Sequence, residues 1–198
     1  MPRVILGYIR AIEAVNRFIG RIAMYLIFVL VGVLLWSSIS KTFFVPSLWT
    51  LETAQFVMVA YYILGGPYSI QLGSNVRMDL FYGGWSDKTK AWMDAITVLF
   101  LLYYLCVLLY GGVGSTAYAL GYFGTEAFSF FKDLVVAFFT GGPEAASETL
   151  GHMERSSTAW RPFLWPLKTM MCFGIVLMIL QVLSEFFKDI GRLRGVTF

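Results

Sequence analysis

The sequence predicts an all-α polytopic membrane protein with four transmembrane helices plus short interfacial amphipathic helices, and three observations lead there. Of the 198 residues, 58% are hydrophobic and only 14% are charged, whereas a soluble domain carries about 25% charged residues. The mean hydropathy is +0.71. The apolar residues fall in continuous runs, and about 20 apolar residues in helical form cross a hydrocarbon core. Only helices and closed barrels satisfy every backbone group in lipid, and a barrel would need alternation instead.

Each element follows in order. In residues 4–21, Ile5, Ile9, Ile12, Val15 and Ile19 recur at helical spacing, while Arg10, Glu13 and Arg17 fall largely opposite. Such a helix lies on, or rises out of, an interface. The first span covers residues 22–40 and ends at Lys41. Its long basic approach and the poor cleavage site Trp36-Ser37-Ser38-Ile39 mark it as a retained helix rather than a signal peptide. The second span, 53–72, is bracketed by Glu52 and Arg77 and carries Gly65-Gly66-Pro67, a sequence that usually kinks or ends a helix. A short amphipathic stretch, 76–85, follows, with Ser86 placed to cap the third helix.

The third span, 92–119, belongs to a charge-free run from 95 to 125, long enough to tilt or to project beyond the membrane. Thr125 is placed to cap an amphipathic helix over 125–139, with Phe128, Phe131, Val135 and Phe138 on one stripe. Residues 140–158, rich in Gly, Ser, Ala and Glu, read as a solvated connector. The fourth span, 163–187, is interrupted near its ends by Lys168 and Glu185. Residues 1–198 thus form one membrane domain.

Orientation follows from lysine and arginine. The amino-terminal segment has Arg3, Arg10, Arg17 and Arg21, the second loop Arg77, Lys88 and Lys90, and the tail Lys188, Arg192 and Arg194. The first loop has only Lys41, and loop 121–161 dilutes its few cations among Glu126, Asp133, Glu144, Glu148 and Glu154. Both termini are expected in the cytoplasm of a bacterial cell, the chain in the inner membrane, and loop 121–161 in the periplasm.

The parts for independent chemistry are missing. Cys106 and Cys172 lie in separate apolar runs without a CxxC, and the single histidine, His152, sits in the hydrophilic loop. A haem bundle needs axial ligands at membrane depth, and histidine-ligated metal catalysis needs more than one histidine. No Walker A loop and no internal repeat occur. No cofactor, metal, catalytic residue or nucleic-acid partner is expected.

What remains are ionisable residues toward the ends of spans, where charge costs least. Lys168 stands about one turn inside an edge marked by Trp160 and Trp165, free to snorkel. Glu185 lies near Lys188 and Arg192, while Glu52 and Asp94 open helices. Arg77 and Asp79 form the tightest polar pair, yet their Arg-x-Asp spacing places them off one helix face. Glu52, Arg77, Asp79, Lys168 and Glu185 are therefore candidate contacts with another subunit or with membrane lipids. The small residues Gly111, Gly112, Gly114, Ser115 and Ala117 allow close helix approach. A chain rich in apolar surface and poor in chemistry reads as a scaffold for a larger membrane partner. The runner-up is a self-sufficient transporter or channel built by homo-oligomerisation, and no nucleophile–base pair supports a lipid-modifying enzyme.

The sequence resembles the small membrane subunit (Q subunit, DctQ-like) of tripartite ATP-independent periplasmic, or TRAP, transporters. The resemblance rests on Glu52 opening the second helix, Gly65 within it, Gly73-Ser74-Asn75-Val76-Arg77-Met78-Asp79-Leu80, and Ser86-Asp87-Lys88-Thr89-Lys90 with Asp94 beyond. Trp160-Arg161-Pro162-Phe163-Leu164-Trp165-Pro166-Leu167-Lys168, then Gly174, Gln181 and Glu185, complete it. Asn75 departs from the family, which often has histidine there. The resemblance implies a sodium-coupled system in which a periplasmic solute-binding protein delivers an organic acid or related solute. A large membrane (M) subunit moves it, and the small subunit braces that partner and offers part of the docking surface.

Overall fold

The computed structural model describes residues 3–73, 84 and 86–193. Among them the regular structure is helical, with one isolated bridge between Arg155 and Phe163. The helices are α1 (Arg3–Phe43), α2 (Thr50–Gln71), α3 (Asp87–Ala119), α4 (Ala127–Glu148) and α5 (Trp165–Leu193). Three stretches are long and apolar enough to cross a membrane: α1, Trp92–Ala119 of α3, and Trp165–Gly191 of α5. A chain with three such helices is built as a multi-pass membrane protein. In α2, Gln55, Tyr61, Tyr62, Tyr68 and the Gly65-Gly66-Pro67 sequence dilute the apolar run.

The expected interfacial helix over 4–21 is not a separate element. It runs without a break into the first span as the 41 residues of α1. Its buried stripe also differs from the expected one. Val15 is exposed, while Ile9, Asn16 and Ala23 are buried. The helix stops before Val45-Pro46, because a residue ahead of proline disfavours helical torsions. A chain of hydroxyls, Ser40 to Ser47 at 3.1 Å, Ser47 to Thr50 at 3.1 Å and Thr50 to Ser37 at 3.2 Å, then staples the turn into α2.

The helix α2 does not end at its glycine–proline sequence but continues through a buried Pro67 to Gln71. Pro67 has no N–H for the Ile63 carbonyl, so that oxygen loses its usual helical partner. The helix ends before Gly73, whose φ is +63°. Ser86 caps α3 as its position predicts, its Oγ accepting the Thr89 N–H at 3.3 Å.

Two expectations about loop 121–161 need correction. The N-cap position of α4 is held by Glu126, not Thr125; its side chain makes no capping hydrogen bond and its backbone torsions (φ −104°, ψ 68°) lie outside the helix. The helix also extends past 139 to Glu148, across a break at Gly142 (φ 77°, ψ −169°). The break turns the chain, and Pro143 then starts a second short run, a position where its missing N–H costs nothing. Good helix formers follow in Glu144, Ala145 and Ala146. Beyond Glu148 the connector is irregular, and Phe163 pairs with Arg155 before α5 opens at Trp165-Pro166.

The chain divides into two compact units, Met1–Ile27 with Tyr61–Val107 and Gly174–Phe198, and Phe28–Ala60 with Leu108–Phe173. In the first, Ile9, Pro67, Leu105, Ile175, Leu177 and Val182 are buried. Gly174 of α5 lies so close to α2 that a Cβ there would run into the Ile63 side chain. In the second, Ala117 of α3, Leu120 just beyond it and Phe130 of α4 form a buried cluster, packed by Tyr122, Phe131, Leu134 and Leu150. Tyr122 and Phe130 stack with ring centroids 4.8 Å apart. Of the expected α4 stripe, Phe128, Val135 and Phe138 are exposed, so the face that packs inward runs through Phe130 instead.

Candidate functional site

In the first unit a chain of polar side chains joins α1 to α5. Asn16 Nδ2 donates to Gln181 Oε1 at 2.7 Å, and Gln181 Nε2 donates to Glu185 Oε1 at 3.0 Å. The same carboxylate accepts from Lys188 Nζ at 2.8 Å, and Lys188 also pairs with Glu13. Tyr8 donates to the Leu180 carbonyl at 3.0 Å, and its ring meets Phe187 edge-on. The spacing explains the arrangement. Residues 181, 185 and 188 follow the i, i+4, i+7 row of α5, and residues 9, 13, 16 and 20 follow the matching row of α1.

Asn16, Gln181 and Ser184 are wholly or almost wholly buried. A buried amide pair costs little when bonded and much when broken, because an orphaned donor or acceptor loses its water without replacement. Such a network fixes the register of two helices more than it adds raw stability. Asn16 Oδ1 and Ser184 Oγ are buried without a hydrogen-bond partner among the described residues.

The second unit has its own polar clamp. Glu52, 2% exposed, accepts the Ser156 hydroxyl at 3.0 Å through Oε1. Its place in the first turn of α2 also sets the carboxylate at the favourable end of the helix dipole. Lys168 pairs with Glu154 at 2.5 Å and donates to the Ser115 carbonyl at 3.3 Å. Backbone bonds complete the tie: Gly151 N–H to Leu120 O at 3.1 Å, Glu154 N–H to Ala119 O at 3.0 Å, and Leu164 N–H to Glu154 O at 3.2 Å. Gly121 (φ +90°) and Gly151 meet backbone to backbone here, a contact that leaves no room for a side chain.

Of the candidate contact residues, Glu52 and Lys168 both belong to the second unit and hold the segment 152–156 from two sides. The Lys168 ammonium turns to Glu154 and to the Ser115 carbonyl near the end of α3, charge-assisted contacts made by a partly exposed cation. Glu185 belongs to the first unit and pairs with the neighbouring Lys188, as its position near that residue suggests. Arg77 and Asp79 lie outside the described residues. Of the small residues of α3, Gly112 meets Cys172 Sγ and Ala117 is buried, whereas Gly111 and Gly114 face open space.

Residues that sequence reasoning passed over are Glu13, Asn16, Glu154 and Ser156. Asn16 was detectable as a polar residue seven past Ile9 and seven before Ala23, on the stripe that is in fact buried. Glu154 and Ser156 carry no such signal, since their partners lie across irregular chain. The arrangement as a whole holds elements together: Glu13, Glu185 and Lys188 engage one another in the first unit, and Glu154 and Lys168 in the second.

A family model described as "Tripartite ATP-independent periplasmic transporters, DctQ component" matches residues 30–192. No curated protein and no solved structure matches the chain.

Proposed function

We propose, for a chain that belongs to the DctQ component family of tripartite ATP-independent periplasmic transporters, the role of a scaffold that braces the large membrane (M) subunit. In this reading the chain crosses the bacterial inner membrane four times, α2 included, with both termini in the cytoplasm. Residues 121–161 face the periplasm and help dock the solute-binding protein. The complex takes up an organic acid or related solute with sodium, and the solute path runs through the large subunit.

One observation carries the reading. Only 6% of the most apolar window of Trp92–Ala119 is buried within the chain, and Phe100, Tyr103, Tyr104 and Tyr110 stand exposed along it. Without a hydrophobic driving force in lipid, helices associate through close packing and polar contacts. A helix this uncovered, with Gly111 and Gly114 open, offers both a lipid-facing surface and a face for another helix. Glu13, Glu185 and Lys188 of the first unit and Glu154 and Lys168 of the second are spent on internal ties, which suits a brace better than a conducting path.

Arg77 and Asp79 are proposed as further contacts with the large subunit or with lipid headgroups. Co-expression of this chain with the large subunit, followed by affinity purification, is the test. The expected result is a stoichiometric complex, weakened by charge reversal at Arg77 or Asp79. A stable solitary monomer with no co-purifying partner would overturn the scaffold role, and solute transport by liposomes containing this chain alone would favour the homo-oligomer.

A further inference from the structure

A cavity of about 470 Å³ opens in the second unit, lined by Tyr118 and Phe123 and by His152, Glu154, Arg155 and Arg161. Its charge is one-sided. The only carboxylate on its wall, Glu154, is engaged by Lys168 at 2.5 Å. Neither Arg155 nor Arg161 has a carboxylate partner among the described residues, so two guanidinium charges stand uncompensated at the wall. One imidazole and one phenol add hydrogen-bonding groups.

The wall is also held in shape. Ser156 N–H donates to Pro162 O at 2.9 Å, which closes the turn that brings residues 155 and 161 together. The Arg155 guanidinium carbon lies over the Phe163 ring at 4.2 Å, a cation–π contact that holds the group by its face and leaves its N–H edges as donors. The ties from segment 151–154 to the end of α3 hold the other side. Arg161 is the only non-glycine residue with positive φ (+49°) among the described residues, a left-handed backbone state that side chains seldom adopt.

We propose that this cavity is a binding site for a small organic carboxylate, with Arg155 and Arg161 as the groups that hold it. A guanidinium presents paired N–H donors that match a carboxylate in bidentate fashion, and two of them on one concave wall suit a dicarboxylate. The volume lies in the range of small-molecule sites, and the aromatic edges of Tyr118 and Phe123 leave room for a short carbon chain. The occupant is a free anion rather than an acidic side chain of a partner protein, since about 470 Å³ exceeds what one carboxylate side chain fills. The anion affinity is independent of the scaffold role. Only the placement of the site on the periplasmic face rests on the proposed orientation.

The test uses the full chain in lipid nanodiscs, succinate as the probe, and saturation-transfer NMR as the readout. Saturable succinate binding is expected, with none for the uncharged succinamide. Arg155→Ala and Arg161→Ala should each weaken it about tenfold or more, which is about 1.4 kcal/mol. Arg155→Lys should retain more binding than Arg155→Ala, because it keeps the charge over Phe163. Absence of saturable binding by the wild-type chain, or its loss equally to potassium chloride at matched ionic strength, would overturn the proposal without touching the scaffold role. Tighter binding of a short blocked peptide carrying one glutamate than of succinate would overturn the assignment to a free anion.

Discussion

Placing alanine at Gly174 should unsettle the first unit through one contact. A Cβ there would overlap the Ile63 side chain and lie 3.1 Å from the Ile63 carbonyl oxygen. That oxygen is the one Pro67 leaves without a helical donor, so the α5 backbone packs against a carbonyl that cannot retreat into an intrahelical bond. Overpacking of this kind costs about 1–3 kcal/mol. The change from glycine to alanine returns up to about 1 kcal/mol of helix propensity. Gly111, with nothing within 4 Å of its would-be Cβ, gives the control, since Gly111→Ala gains the same propensity and meets no obstacle. The difference between the two variants therefore isolates the contact at about 1–3 kcal/mol. It appears as a midpoint about 2–4 °C lower per kcal/mol for a chain of this size. Thermal unfolding in detergent, followed by tryptophan fluorescence, reads it. Adding Ile63→Ala removes the clashing methyl and should restore part of the loss, leaving the backbone contact unrelieved. Equal midpoints for Gly174→Ala and Gly111→Ala, or no coupling with Ile63→Ala, would refute the packing account.

Further expectations concern the polar ties. Asn16→Leu and Gln181→Leu should each destabilise the chain by about 0.6–2 kcal/mol, the range for buried hydrogen bonds in membrane and soluble proteins. The double variant should be less destabilised than the sum, as a double-mutant cycle in detergent measures. Glu154→Gln and Lys168→Met, at a partly exposed pair, should show a coupling of about 0.5–1 kcal/mol that shrinks as salt is raised. Gly121→Ala, at φ +90° against the Gly151 backbone, should cost more than about 2 kcal/mol. It should also speed limited proteolysis between 149 and 164, and an unchanged cleavage rate would contradict the tight backbone contact.

Membrane insertion and helical class were legible because they depend on local sums. A run such as 22–36 is apolar whatever it packs against, and lipid admits it only as a helix. Caps were partly legible for the same reason: Ser86 is a short polar side chain before a helical run and does cap α3. Thr125 looked equivalent, yet the helix begins one residue later, since caps among adjacent polar residues are decided by the turn that precedes them. Glu52 and Lys168 stood out as charges near span ends, without their partners, and Arg77 and Asp79 lie outside the described residues. Glu52 meets Ser156 at a separation of 104 residues, and no periodicity connects them.

The sequence by itself determined that the chain is helical and apolar, because composition and hydropathy runs act residue by residue. Only the tertiary structure decided which side of each helix is inside. It put Asn16 rather than Val15 on the buried row of α1, turned Lys168 to Glu154, and set Arg155 and Arg161 on one wall. The physical reason is the same in each case. A helix presents a continuous choice of faces, a row of similar apolar residues leaves that choice nearly degenerate, and the contacts that break the tie join residues far apart in the chain.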